Sequence, residues 1–327
     1  MTVRRIGSHF VAAIILILAG CAHQKAPVSP VGLTRLAPIR FENWNGVTPP
    51  GQRVVLPHYA MYSTIADRQV LGQLGQLMEG AWQAYRSLAP EVPASGRSMR
   101  CYIFESRSEW AAFTENHTGE DAAIYLRVNR GGYTVGDWFV AYWIGDVATF
   151  SVAAHEGWHQ YVARHLRDRL PPFLEEGLAC LFEQMRWEGA LPRWDLARNQ
   201  PRLASLRAAV DANELYPLAQ LVRMHAGQVV GKRNAQIEAF YAECWGFARF
   251  LQDAEGGRYR PALRRMLADA ARGRLFGDNS REQAARMLWD PATAQPMLEH
   301  YLGMSLPDIE MAFQRFINQL VEVARET

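Results

Sequence analysis

The sequence predicts an α+β fold, with a mixed first half and a helical second half. In the first half, short runs of β-branched and aromatic residues are bounded by turn residues, a pattern typical of strands. From about residue 147, apolar residues recur at helical spacing nearly to the end of the chain. Strands concentrated before a long helical region indicate the α+β class.

The chain begins with a predicted secretion signal. Arg4 and Arg5 precede an apolar run over residues 10–18, which is too short to span a bilayer stably. The following LAGC, which ends at Cys21, resembles the bacterial lipobox. This resemblance implies cleavage of residues 1–20 and acylation of Cys21, so that the protein is lipid-anchored. Ala22 favours the outer membrane, facing the periplasm; a simple signal peptide or an uncleaved anchor is the alternative.

The elements of the first half follow a predicted linker. Residues 21–51 are rich in proline and show neither a helical nor a strand period. Next, the pattern predicts a strand at 53–64, a helix at 67–88, a strand at 99–104, a short helix at 106–114 and a glycine-opened strand at 131–143. The helix at 67–88 has apolar residues at helical spacing, namely Val70, Leu74, Leu77, Met78, Trp82 and Tyr85. A serine begins the helix at 106–114 as its N-cap.

The second half is predicted to be helical nearly throughout. Helices are expected at 147–167, 173–187, 203–211, 236–253, 260–271, 281–288 and 306–325. The sequence shows no internal repeat and no low-complexity block. One large domain or two lobes would accommodate these elements.

Composition excludes two classes of protein. Removing residues 1–20 lowers Lys+Arg from 35 to 33, which equals the 33 Asp+Glu. A net charge of zero argues against a general nucleic-acid binder. Hydrophobic residues make up 49% of the chain, with 10 tryptophans, so it can bury a substantial core and does not resemble a disordered protein.

One predicted helix carries a motif typical of zinc sites. His155, Glu156 and His159 form the pattern HExxH. Because a helix turns every ~3.6 residues, the two histidines share a face and can bind one ion. Glu156 can reach a water on the metal without being a ligand, and since zinc lowers the pKa of that water to about 7, Glu156 can be its general base. The sequence therefore predicts a Zn²⁺ site; two histidines on an ordinary helix are the alternative.

Two segments compete to supply the third ligand. His165 stands where the longer pattern HExxHxxGxxH has its third histidine, but that pattern needs a glycine to end the helix. Val162 occupies the glycine position and does not readily adopt a positive φ, so the helix is expected to continue and to point His165 away. The segment at 170–183 is favoured, because Glu175 and Glu176 lie in the first turn of an antiparallel neighbouring helix, whose start can lie near the end of the first helix. For Glu175 and Glu176, simple N-terminal charge is the alternative interpretation.

The segment LPPFLEEGLACLFE at 170–183 resembles a known family. A glutamate before G-L-A, closely following HExxH, is similar to the gluzincin metallopeptidases, and most of all to peptidase MA-like bacterial domains. The resemblance implies that Glu176 binds zinc and that Glu175 faces solvent. It also implies a zincin-like fold with a small mixed sheet over residues 52–255, followed by a helical C-terminal region at 256–327.

The resemblance also implies residues that support catalysis. The segment 240–251 resembles the family's later helix of the form Y-A-x-x-W, which makes Tyr241 the candidate oxyanion donor, ahead of His225. A tyrosine packed in the core is the alternative. The strand from Asp137 to Trp143 could be the sheet edge to which an extended peptide adds, or a plain core strand.

The cysteines raise two further questions. The aspartate that thermolysin-like enzymes have four residues after the zinc-binding glutamate is replaced by Cys180, which leaves Glu183 as a candidate for orienting a histidine. Besides Cys21, only Cys101, Cys180 and Cys244 are present, so at most one disulfide can form. We predict it between Cys180 and Cys244, whose helices would both border the zinc; two buried free thiols are the alternative.

These expectations describe a lipid-anchored zinc metallopeptidase that acts on a peptide or protein substrate. His155, His159 and Glu176 would hold Zn²⁺ and Glu156 would activate water. The alternative is a non-catalytic envelope lipoprotein that uses the scaffold as a binding or assembly module. Glu156 favours the enzyme, because a structural zinc site has no use for a general base.

Overall fold

The computed structural model describes residues 30–46, 49–94, 96–128, 131–229, 232–277 and 290–326. The predicted signal peptide, Cys21 and the predicted helix at 281–288 lie outside these ranges. Within them, no helix combines the length and the apolar character that a membrane crossing requires.

The strands form two sheets. In chain order they are β1 (Val31–Gly32), β2 (Arg40–Trp44), β3 (Gly51–Val55), β4 (Tyr59–Ser63), β5 (Met99–Phe104), β6 (Gly132–Val135), β7 (Trp138–Tyr142), β8 (Met185–Glu188) and β9 (Leu191–Trp194). The larger sheet has the order β2-β3-β4-β5-β7-β6; β4, β5 and β7 run parallel and the other neighbours antiparallel. Its register pairs Ala60 with Arg100 and Tyr102 with Val140. The smaller sheet, β1-β9-β8, is antiparallel.

The helices occupy most of the second half. In chain order they are α1 (Arg68–Leu88), α2 (Arg107–Thr118), α3 (Ala122–Tyr125), α4 (Asp146–His165), α5 (Pro172–Cys180), α6 (Gln200–Asp211), α7 (Leu218–Leu221), α8 (Asn234–Asp253), α9 (Arg260–Arg272), α10 (Ala294–Leu302) and α11 (Leu306–Glu326). Ser106 caps α2 through a capping box with Glu109, as the sequence indicates. The mixed sheet followed by this helical region confirms the α+β class.

Several predicted elements differ from the structure. The predicted strand at 53–64 is a hairpin of β3 and β4, with Pro57, which cannot donate to a strand ladder, in the turn. The predicted strand at 131–143 is also a hairpin, because Gly136 (φ 56°) turns the chain between β6 and β7. Part of the predicted linker at 21–51 is folded, since it contains β1 and β2. These short strands are stabilised by their partners rather than by an alternating pattern of their own.

The helical prediction also missed a hairpin. The helix expected at 173–187 ends at Cys180, and the chain continues into β8 and β9. The turn between these strands contains Gly189, with φ 63°. The short helices α7 and α10 were not predicted either. The indole of Trp194 donates to the carbonyl of Phe182 (2.8 Å), which joins β9 to the end of the α5 segment.

The larger sheet has helices on both faces. Helices α1 and α4 pack on one face and enclose the main core, whereas α2 covers a smaller aromatic cluster on the other face. α1 and α4 approach closely at Gly157, where a β-carbon would lie 2.6 Å from Tyr85 Oη. Tyr85 Oη donates to the carbonyl of Ala154 (2.5 Å). This packing fixes the helix that carries HExxH against α1.

Helix α8 contains a buried carboxyl group that makes stability depend on pH. Glu243 is 1% exposed and accepts from the backbone N–H of Tyr216 at 3.0 and 3.1 Å. Burial raises its pKa to about 8, although the hydrogen bond from Tyr216 opposes this shift. In the unfolded chain a glutamate ionises near pH ~4.3. The folded state therefore binds this proton more tightly, and its stabilisation is complete below about pH 4.3 and lost as the pH rises to about 8.

We expect Glu243→Gln to weaken this pH dependence. Between pH 5 and pH 8, wild type should lose up to about 4 kcal/mol of unfolding free energy through this group, and the variant should be spared that loss. Urea denaturation at both pH values measures the difference. Glu238→Gln, at a side chain on the same helix that is 55% exposed, is the control and should behave as wild type. Equal pH dependence in Glu243→Gln and wild type would contradict the prediction.

Candidate metal centre

Three side chains from two helices converge at one point. His155 and His159 are one turn apart on α4, and their Nε2 atoms are 3.2 Å apart. Glu176 lies in α5, which begins after Pro171. Its Oε2 is 3.3 Å from His155 Nε2 and 3.4 Å from His159 Nε2. The short connection between α4 and α5 therefore brings together the three residues that the sequence proposes as ligands.

The three atoms form a nearly equilateral triangle. Tetrahedral coordination with bonds of about 2.0–2.1 Å separates neighbouring ligand atoms by about 3.3 Å, and the observed distances match this spacing. Glu176 Oε2 is buried and has no hydrogen-bond donor in suitable geometry among the described residues. A cation in the triangle would satisfy that oxygen. His155, His159 and Glu176 could thus hold a metal ion.

A carboxylate orients each histidine from the other side of its ring. His155 Nδ1 donates to Glu183 Oε1 (3.0 Å), and His159 Nδ1 donates to Glu175 Oε1 (2.8 Å). With the proton on Nδ1, the Nε2 lone pair faces the triangle, as metal binding requires. Glu183 therefore has the orienting position for which it was a candidate. The expectation that Glu175 faces solvent is wrong, because its side chain is buried against His159.

The electrostatics of the cluster favour a cation. Burial lowers the pKa of His155, but the nearby carboxylates of Glu176 and Glu183 outweigh it and raise that pKa to about 9. The pKa of His159 is likewise well above its usual range, with Glu176 and Glu175 overcoming burial. Burial opposes ionisation of Glu176, yet the two histidines hold its pKa well below the usual range. The cluster therefore stabilises positive charge. Protons on the two histidines compete with a metal ion for this site.

Glu156, the residue after His155, contacts strand β6. Thr134 Oγ1 on β6 donates to Glu156 Oε2 (2.7 Å). An added β-carbon on Gly132 would lie 3.2 Å from Glu156 Cγ, which shows how closely β6 passes the carboxylate. The Thr134 hydroxyl fixes the orientation of the group proposed as the general base.

Tyr241 on α8 lies beside the cluster. Its ring centroid is 6.3 Å from that of His155, and the Arg202 guanidinium lies 5.0 Å from the tyrosine centroid. Burial, and then the charge of Glu176, raises the pKa of the phenol well above its usual range, so the hydroxyl stays protonated. His225, the lesser candidate, is exposed at the start of a short 3₁₀ turn.

His165 does not join the triangle. Helix α4 continues through Val162, whose carbonyl accepts from the backbone N–H of Leu166 (2.9 Å). The His165 ring stacks on Tyr161, with a centroid distance of 4.2 Å, and its Nδ1 donates to the Tyr161 carbonyl (2.8 Å). The sequence prediction that the helix continues is confirmed.

The predicted disulfide is wrong. Cys180 and Cys244 are buried free thiols, as is Cys101. Helices α5 and α8 approach closely at Gly177, where a β-carbon would lie 2.1 Å from the carbonyl oxygen of Cys244. This close contact lies about one turn before Cys180. Burial raises the pKa of both thiols well above the usual range, which favours packing over ligation, although Cys180 also lies within reach of His155 and Glu183.

The edge of the larger sheet is not the strand that the sequence suggested. β7 (Trp138–Tyr142) lies between β5 and β6, so the strand leading to Trp143 is internal. The edge strands of this sheet are β2 and β6, and β6 contacts α4 through Thr134 and Gly132. Sequence reasoning merged β6 and β7 because their turn contains only two residues.

Sequence reasoning also missed several residues that support the centre. Asn199 Nδ2 donates to Glu183 Oε2 (2.8 Å), and Arg202 binds both oxygens of Glu183. These residues, together with Thr134, come from parts of the chain with no recognisable motif. Only Glu183 carried a signal, because it lies in the same conspicuous segment as Glu176.

Comparison with known proteins adds no assignment: no protein-family model matches the chain, and no curated protein matches it. The centre is therefore interpreted from its own geometry and chemistry.

Proposed function

We propose that the protein is a zinc-dependent peptidase with a gluzincin-like arrangement of ligands. The proposal rests on the triangle of His155 Nε2, His159 Nε2 and Glu176 Oε2. The two nitrogens are 3.2 Å apart, and the oxygen lies 3.3 Å from His155 Nε2 and 3.4 Å from His159 Nε2. Two imidazoles and one carboxylate are a donor set typical of catalytic zinc, which leaves a fourth position open. When bound, zinc supplies Lewis acidity that lowers the pKa of a coordinated water to about 7.

Glu156 is proposed as the general base that accepts the proton of the attacking water. Its position next to His155 in the sequence keeps it near the ligands, while the hydrogen bond from Thr134 (2.7 Å) fixes the orientation of its carboxylate. Proton transfer by such a positioned carboxylate contributes about 10²–10⁴-fold to a rate. A site built only to hold structural zinc would not need this residue.

Tyr241 and β6 are proposed to act on the substrate. A protonated phenol can donate to the oxyanion that develops on the substrate carbonyl, and the raised pKa of Tyr241 keeps the phenol protonated. An extended peptide could pair with the edge strand β6, whose Thr134 touches Glu156. Pairing there would carry a peptide bond past the general base.

Anchoring through acylated Cys21 at the outer membrane, facing the periplasm, is likewise a proposal. It rests on the LAGC segment of the sequence. A peptide or protein in the envelope would then be the substrate.

Zinc content tests this proposal directly. We expect about one zinc per chain in the full-length protein purified in detergent without chelators, and almost none in Glu176→Ala, since the third ligand is lost. Plasma mass spectrometry measures the ratio. His165→Ala is the matched control and should retain zinc, because His165 stacks on Tyr161 instead of facing the triangle. Zinc-free wild type would overturn the proposed function.

A further inference from the structure

Arg202 on α6 is a nearly buried cation next to the centre. Its side chain is 16% exposed. Nε donates to Glu183 Oε2 and Nη2 donates to Glu183 Oε1, both at 2.8 Å. Nη1 donates outward to Glu238 Oε2 (2.9 Å), and the guanidinium carbon lies over the Tyr241 ring, 5.0 Å from its centroid. The residue thus contacts two groups of the centre without being one of its proposed ligands.

The carboxylate that Arg202 holds is the one that orients His155. Glu183 Oε1 accepts from both Arg202 Nη2 (2.8 Å) and His155 Nδ1 (3.0 Å). Glu183 lies beyond the end of α5, in a bend before β8, so the helix does not fix its side chain. Asn199 Nδ2 and the two Arg202 donors fix it instead.

We propose that Arg202 is the positioning residue of the metal centre, acting on His155 through Glu183. This inference rests on the proposed function. A planar guanidinium donates to both carboxylate oxygens at once and so restricts the carboxylate to one orientation. A lysine ammonium cannot do this. With Glu183 fixed, the ring of His155 is held with Nε2 in the triangle. Packing of the same guanidinium on Tyr241 keeps the proposed oxyanion donor beside His155.

The two histidines differ in what fixes the carboxylate that orients each of them. His159 is oriented by Glu175, which lies within helix α5 and is positioned by the helix itself. His155 is oriented by a residue outside regular structure, and therefore depends on Arg202. Loss of Arg202 should consequently weaken metal binding through one ligand, leaving the other two in place.

The test is a double-mutant cycle on zinc affinity. In competition with a chromophoric chelator, Arg202→Ala and Glu183→Gln should each weaken zinc binding by about 10–100-fold. The double variant should be within about threefold of the weaker single variant, because both substitutions break the same contact. Glu238→Gln, which removes only the outward arm of Arg202, is the matched control and should stay within about twofold of wild type.

Cobalt spectra separate a positioning role from a purely structural one. With Co²⁺ in place of zinc, Arg202→Ala should shift the visible absorption, because the His155 ligand geometry changes. Arg202→Lys should shift the absorption in the same direction and replaces the alanine variant if that variant does not fold. If Arg202→Ala lowered the unfolding temperature but left the cobalt spectrum and the zinc affinity unchanged, the proposal would be overturned. It would also be overturned if the losses of zinc affinity in the two single variants multiplied in the double variant. Zinc-free wild type would instead refute the proposed function itself.

Discussion

Glu156→Gln should leave zinc bound and reduce peptide hydrolysis by about 10²–10⁴-fold. Glutamine has nearly the same shape as glutamate and can still accept the hydrogen bond from Thr134 Oγ1, which now goes to Glu156 Oε2 at 2.7 Å. It cannot accept a proton from water at neutral pH. The release of new amino termini from a denatured protein measures the hydrolytic activity, and plasma mass spectrometry measures the zinc content.

A control on the same helix distinguishes loss of the base from damage to α4. Asp146→Asn makes the same change of carboxylate to amide in the first turn of α4, at an exposed position, and should retain full activity. Unchanged turnover in Glu156→Gln would show that the assigned mechanism is wrong. Zinc-loaded wild type without activity on unfolded proteins would favour the alternative of a binding or assembly module.

Local features of the sequence predicted the parts of the centre that depend on local geometry. The spacing of His155 and His159 places them on one helical face whatever the rest of the fold does. Val162 indicated that α4 continues to His165, and the structure confirms it. Pro171 and Pro172 indicated the start of the next helix, which the structure places at Pro172. Each of these inferences needs only neighbours within one or two turns.

The remaining parts depend on contacts between distant segments. Arg202 meets Glu183 across 19 positions, and β1 pairs with β9 across 163 positions, from Val31 to Trp194. A two-residue strand such as Val31–Gly32 has no pattern of its own, so composition alone assigned it to a linker. Glu175 illustrates the same limit, because its burial follows from the angle between α4 and α5, which sequence spacing does not determine.

Gly177→Ala should destabilise the protein by about 3 kcal/mol, at the upper end of overpacking effects. Gly177 has an ordinary helical conformation, so alanine would favour the helix intrinsically. However, its β-carbon would lie 2.1 Å from the carbonyl oxygen of Cys244, an atom of the α8 backbone that no side-chain rotation can move. The two helices must therefore separate, and the steric loss outweighs the gain in helix propensity.

The same displacement should affect the metal centre, because Glu176 immediately precedes Gly177. Denaturant unfolding measures the stability, and zinc content should fall as Glu176 Oε2 leaves its place 3.3 Å from His155 Nε2. Gly72→Ala, in α1 with no atom within 4 Å of the added carbon, is the matched control and should gain about 0.5–1 kcal/mol. If Gly177→Ala behaved like Gly72→Ala and kept its zinc, the close contact of α5 with α8 would not be what fixes Glu176. The crossing of α5 and α8 would then not explain why position 177 is a glycine.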